Sequence, residues 1–91
     1  MASVVITLRI MPEAPDTDLK AIENKATELI TAHGAKVGKV TISPIAFGLN
    51  SVDLMFIMDE SKGSTDALEQ LIAAIPHVNG VEVTDVRRTI G

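Results

Sequence analysis

Residues 37–58 read VGKVTISPIAFGLNSVDLMFIM, a stretch that holds two strands and the turn joining them. Val37 to Ile42 forms the first strand. In the second, Val52, Leu54, Phe56 and Met58 recur at a spacing of two, as in an extended chain with one side in a core. Met55 and Ile57 occupy the opposite side, so this strand belongs in the interior of a sheet. Pro44-Ile45-Ala46-Phe47-Gly48-Leu49 reverses the chain between them. Pro44 sets the entry φ and Gly48 supplies backbone freedom. Phe47 is one of only two aromatic residues in the chain, and two readings of it stand. It folds back to cap the core, or it is presented to a partner, a role in which aromatic side chains are favoured. An apolar ring at a loop tip costs solubility unless something covers it.

Helical patterns flank the hairpin on both sides. Upstream, Leu19, Ile22, Ala26, Leu29 and Ile30 make one stripe. Asp16 is the expected N-cap, Asp18 sits in the first turn at the positive end of the dipole, and Gly34 follows the C-terminus at His33. The helix is expected over about 17–32. Before it, Val4, Ile6, Leu8 and Ile10 alternate with Ser3, Val5, Thr7, Arg9 and Met11, a strand with apolar residues on both faces that Met11-Pro12-Glu13-Ala14-Pro15 stops. Downstream, Asp59 to Gly63 is a polar turn, and Ser64 or Thr65 caps a second helix with the stripe Leu68, Leu71, Ile72 and Ile75. Pro76 ends it, and Asn79-Gly80 turns the chain into a last strand from Val81 to about Arg88. Alternation slips in that strand: Val81 and Val83 share a face and Val86 falls on the other. A bulge near Asp85 explains this, and so does an apolar contact on the second face. The order β-α-β-β-α-β specifies an α+β, ferredoxin-like sandwich: a four-stranded antiparallel sheet with both helices on one face. Many functions use that arrangement.

At 91 residues, positions 1–91 are expected to form one domain, with 46% hydrophobic residues to build its core. The absence of cysteine excludes disulfides, thiolate metal sites and a cysteine nucleophile, and fits a reducing cytoplasm. Eight basic against twelve acidic residues give a net charge of −4, which opposes direct nucleic-acid binding. No apolar run approaches the roughly 20 residues that span a bilayer, so a soluble, cytoplasmic protein is expected.

No catalytic constellation emerges, and neither an enzymatic activity nor a cofactor is expected. His33 ends a helix and His77 follows Pro76 in a loop, each without a second ligand at metal-binding spacing. Gly34 and Gly38 do not open a phosphate-cradling loop. An RNA-binding module of this topology needs aromatic residues on its central strands; here only Phe56 is available, and it lies in the core stripe. A metallochaperone of this topology needs a cysteine pair where this chain has Met11-Pro12-Glu13. The densest basic spot is Arg87-Arg88. Either these are solvated arginines at a terminus, or one is a cationic finger toward carboxylates or a phosphate. Adjacent strand residues face opposite sides, so at most one can join a given site. Lys36 and Lys39 read as solubilising charges on an edge strand. In this topology the hairpin and the C-terminus lie at opposite ends of the sheet, on the order of 25 Å apart for strands of about seven residues. One apolar tip and one cationic tip suit a two-point clamp.

Pro44 to Leu49, taken with Val4-Val5-Ile6, Met11-Pro12-Glu13, Pro15-Asp16 and Thr84-Asp85-Val86-Arg87-Arg88, resembles the archaeal elongation factor 1-beta family along essentially the whole chain. That family corresponds to the C-terminal exchange domain of the eukaryotic factor. The resemblance implies a guanine-nucleotide exchange factor whose partner is elongation factor 1-alpha, the GTPase that delivers aminoacyl-tRNA. The expected partner-binding set is Pro44, Ile45, Ala46, Phe47, Gly48, Leu49, Asp85, Arg87 and Arg88, in which the two arginines are assigned from their charge and not from the resemblance, on a chain expected to be monomeric when free. The aromatic ring at the family's hairpin, which contacts the GTPase, corresponds to Phe47. In eukaryotic relatives a lysine near the C-terminus enters the partner's magnesium and phosphate site; its place here falls near Gly91, and the final residues Thr89-Ile90-Gly91 contain no lysine. The rival class is a small-molecule-sensing regulatory module that dimerises through the sheet face carrying Val5, Met55 and Ile57.

Overall fold

The alternation along residues 50–59 produces a strand buried on one face from Val52 to Met58, and the rest of the molecule is arranged around it. The computed structural model describes residues 2–62 and 65–90. Its principal elements are β1 (Ala2–Pro12), α1 (Leu19–Ala32), β2 (Lys36–Pro44), β3 (Asn50–Asp59), α2 (Asp66–Ala73) and β4 (Val78–Ile90). Short 3-10 turns at Ala46–Gly48 and Glu60–Lys62 follow β2 and β3. The sheet has the order β2-β3-β1-β4 with every pair antiparallel. This is the expected ferredoxin-like sandwich. β1 and β3, the strands with apolar residues on both faces, are the central pair, and β2 with Lys36 and Lys39 is an edge.

One face of the sheet is the core face. Ile6, Leu8 and Ile10 of β1 pair with Phe56, Leu54 and Val52 of β3, and all six are buried. Paired residues project to the same side of an antiparallel sheet, so these rows form a continuous apolar floor. Ile22, Ala26 and Ile30 of α1 and Leu68 and Ile72 of α2 close over it. Fully burying a side chain of this size contributes about 1.5–3 kcal/mol.

The structure corrects the sequence-based expectations at several boundaries. The N-cap of α1 is Asp18, not Asp16: Asp18 Oδ1 accepts hydrogen bonds from the backbone N–H of Lys20 (3.1 Å) and Ala21 (3.2 Å). The preceding residues form their own turn, in which Thr17 Oγ1 accepts from Ala14 N–H and Thr17 N–H donates to Ala14 O, which leaves Asp16 outside the helix. Thr65 is the N-cap residue of α2, and its hydroxyl bonds Glu69 rather than the backbone; Gly63 and Ser64 lie outside the described residues. Leu71 is half-exposed, because one residue of helix turns it about 100° away from Ile72, which takes the core position. Asn79-Gly80 is not a turn. Gly80 pairs with Met11 and Val78 with Pro12 inside β4, and the reversal occurs at Pro76-His77, with His77 at φ +70°.

The slip in β4 is a bulge. Register shifts between Thr7 and Leu8, whose partners are Asp85 and Val83, so Thr84 is the extra residue; its hydroxyl donates to Thr7 O. After the bulge Val86 pairs with Ile6 and returns to the side of Val81 and Val83.

Candidate partner-binding site

The two ends of the sheet carry the residues singled out from the sequence. At one end, Pro44 pairs with Asn50 and closes the hairpin. Ile45 N–H donates to Leu49 O (2.8 Å) and Leu49 N–H donates to Ala46 O (3.3 Å). Phe47 at φ +62°, ψ +29° and Gly48 at φ +75° occupy the centre of that reversal, the backbone of a type I′ turn. Gly48 is required by its φ and not by crowding, since nothing lies within 4 Å of where its Cβ would be. Phe47 is the unexpected member. A bulky residue in the left-handed region is a true outlier, and the conformation costs roughly 1–2 kcal/mol in a residue with a Cβ. Its side chain does not fold back over the core: Phe47 is 92% exposed. Ile45 and Leu49 are half-buried, while Pro44 and Ala46 are exposed.

At the other end, the bulge at Thr84 sets the facing of the C-terminal residues. Arg87 pairs with Val5 on the open face of the sheet, and Arg88 pairs with Val4 on the helix side. Their partners follow from those directions. Arg87 Nε donates to Asp85 Oδ2 (2.9 Å) on the same face, and Arg88 Nε lies 3.1 Å from Glu60 Oε2 in the turn leading to α2. Both guanidinium groups remain largely exposed. Such pairs contribute about 0–1 kcal/mol, so either arginine can exchange its carboxylate for another anion at little cost. Gly91, near which the lysine of eukaryotic relatives would fall, lies outside the described residues.

The separation of the two ends follows from the register. Val4, the partner of Arg88, is opposite Met58, while the hairpin closes at Asn50. The eight residue steps from Asn50 to Met58 span about 26 Å at ~3.3 Å per residue, along a molecule whose longest extent is 42 Å. The structure therefore does not gather Pro44–Leu49 with Asp85, Arg87 and Arg88 into one pocket; it holds two separate groups at opposite ends.

A polar cluster on the open face was not singled out in the sequence. The Asp53 carboxylate accepts from Ser43 Oγ (3.0 Å), Ser51 Oγ (3.0 Å), Arg9 Nε (3.2 Å) and Arg9 Nη2 (3.4 Å). Partial burial alone would raise its pKa. The hydrogen bonds from Arg9, Ser43 and Ser51, with the charge of Arg9, outweigh that effect and hold the carboxyl below the usual Asp value. The same hydrogen bond and charge raise Arg9 above its ordinary value. A polar residue in the middle of an alternating strand, with Ser51 two residues before it, was the available signal, but Arg9 and Ser43 lie on two other strands.

Comparison with known proteins shows the family and the fold. Residues 5–89 match the family described as the EF-1 guanine nucleotide exchange domain. The chain is 41% identical over 88 residues to elongation factor 1-beta of Methanothermobacter thermautotrophicus, covering 97% of this chain and 98% of the relative. It is 42% identical to elongation factor 1-beta of Methanobrevibacter smithii with the same coverage. Among solved structures, the C-terminal domain of MgtC from Mycobacterium tuberculosis has a TM-score of 0.67 at 9% identity, covering 94% of this chain and 87% of that one. The ACT domain of a GTP pyrophosphokinase from Chlorobium tepidum has a TM-score of 0.61 at 18% identity, covering 89% and 97%. These likenesses show the fold alone. Identity of 41–42% to the archaeal factors along nearly the whole chain, with a match to the exchange domain over residues 5–89, makes this chain a member of the elongation factor 1-beta family of guanine nucleotide exchange domains.

Proposed function

We propose that the protein promotes exchange of GDP for GTP on elongation factor 1-alpha, in the cytoplasm, by gripping that GTPase at two points and without covalent chemistry. The observation that carries this reading is Phe47: 92% exposed and held at φ +62°, a combination with no benefit to the fold. Strained, exposed residues of this kind are retained where a partner uses them. The ring serves as an apolar anchor on one part of the GTPase. Some 26 Å away, by the strand rise given above, Arg87 or Arg88 gives up its surface carboxylate and engages an anionic group near the bound nucleotide. The first contact makes the second intramolecular, so each end alone binds far more weakly than both together.

The factor accelerates GDP loss because it binds the nucleotide-free GTPase better than the GDP-bound one. Linkage then requires GDP and the factor to weaken each other's binding by the same ratio. The direct test is release of labelled GDP from elongation factor 1-alpha with and without this protein. Stimulated release that Phe47→Ala suppresses supports the reading, and a release rate independent of the protein refutes it. Binding to the isolated nucleotide-binding domain and to the remaining domains tests the clamp. Phe47 substitutions should affect one fragment and arginine substitutions the other; one fragment responding to both would mean a single contiguous site.

A further inference from the structure

The loop that carries Phe47 has little of its own to orient it. Two backbone hydrogen bonds close it, and one of its arms, β2, is an edge strand paired only with β3. Phe47 stands four residues beyond Ser43 and four before Ser51, so its tip lies up to about 13 Å from that base. A swing of ~10° at the base moves the tip by about 2 Å, enough to spoil a contact that must be held within about 0.5 Å.

The geometry points to Asp53 as the residue that positions the Phe47 hairpin for its partner, acting through Ser43, Ser51 and Arg9. Ser43 and Ser51 face each other across the hairpin, one residue inside the Pro44–Asn50 closure. Both hydroxyls donate to the Asp53 carboxylate, one to each oxygen. Arg9 donates to both oxygens from β1, so a single carboxylate ties the two arms of the hairpin to the central strand. The Ser51 hydroxyl also lies 3.3 Å from Ser43 O, but it has one proton. The shorter contact to a charged acceptor takes it, since charge-assisted bonds are the stronger. Ser51 is fully buried and the Asp53 side chain only 13% exposed, so water competes weakly for these bonds. This inference rests on the exchange reading above, and in it Asp53 acts through the hairpin and not by its own contact with nucleotide or partner.

A double-mutant cycle in the GDP-release assay tests it. Ser43→Ala removes one strut and leaves the core untouched; Asp53→Asn removes the charge at nearly constant shape. Ser43→Ala should raise the factor concentration for half-maximal exchange roughly three- to tenfold, with the maximal rate unchanged, and Asp53→Asn should do more. Both losses should vanish in a Phe47→Ala background and persist in an Arg87→Ala/Arg88→Ala background. In the free protein, the strong intraresidue amide–Hα NOE that a positive φ produces at Phe47 should weaken in both variants. If Phe47→Ala itself leaves exchange unchanged, the hairpin reading of the function falls, and positioning for it falls too. If Phe47→Ala weakens exchange while the Ser43→Ala and Asp53→Asn losses remain the same in its background, or if the NOE is unaltered, Asp53 does not position the tip.

Discussion

Replacing Phe47 by Asn should make the protein more stable and a worse exchange factor, and the opposite signs separate the ring's two possible roles. Three quantities set the stability change. Placing a residue with a Cβ in the left-handed region costs roughly 1–2 kcal/mol, and Asn tolerates that region better than most residues. Phe47 is 92% exposed. A Phe that buries at most about 15–20 Å² of its surface gains only about 0.4–0.5 kcal/mol at ~25 cal/mol per Å². The net expectation is a gain of about 0.5–1 kcal/mol, or an increase in Tm of roughly 2–8 °C for a domain of this size. Phe47→Ala keeps a Cβ at positive φ and should change stability by less than about 0.5 kcal/mol. Phe47→Gly relieves the strain but adds about 0.4–1 kcal/mol of unfolded-chain entropy, leaving a small net effect. All three should weaken binding to elongation factor 1-alpha by about 2 kcal/mol or more if the ring is an interface anchor. Urea titration of the free proteins and titration of the nucleotide-free GTPase measure the two quantities independently. A loss of 2 kcal/mol or more of stability in all three variants, with affinity unchanged, would refute the reasoning, because it would mean the ring is part of the core in solution.

Charge removal at Arg87 and Arg88 should slow GDP release more than it weakens complex formation, with one residue dominating because they face opposite sides of β4; the effect should shrink as salt is raised past ~0.1 M, where screening acts over roughly 10 Å. Equal exchange rates for Arg87→Ala/Arg88→Ala and the parent protein at low salt would remove the arginines from the mechanism. Asp53 titrates below its unfolded value of about 3.9, so its contribution to stability is complete above that unfolded value and is lost as pH falls through the depressed folded pKa. Urea midpoints measured down an acid series should therefore fall less steeply for Asp53→Asn than for the parent, and parallel curves would contradict the linkage. Phe56→Ala, at a fully buried position, should cost about 3–5 kcal/mol, seen as a large drop in Tm, whereas the exposed Phe47 should tolerate the same change.

Periodicity was sufficient to specify the elements, although it put the half-exposed Leu71 in the core stripe of α2. Val52, Leu54, Phe56 and Met58 specify a strand with one buried face because a period of two has no other compact solution, and the stripe through Ile22, Ala26 and Ile30 specifies the helix that covers it. The slip at residues 83–86 likewise foretold irregularity in β4. Short-range choices were less legible. Asp16 and Asp18 are chemically equivalent caps, and the Ala14–Thr17 turn decides between them. Of the two readings of the β4 slip, only pairing with Thr7 and Leu8 selects the bulge. The positive φ of Phe47 was hidden because the neighbouring glycine accounts for a turn on its own; closure between Pro44 and Asn50 is what imposes the strained conformation on the aromatic residue as well. Asp53 was hidden for a different reason. Of its partners only Ser51 is near in sequence; Arg9 and Ser43 lie 44 and 10 positions away, and partners brought together by strand register leave no local pattern. Local periodicity determined the elements and their order, while the direction of each functional side chain depended on which strands became neighbours.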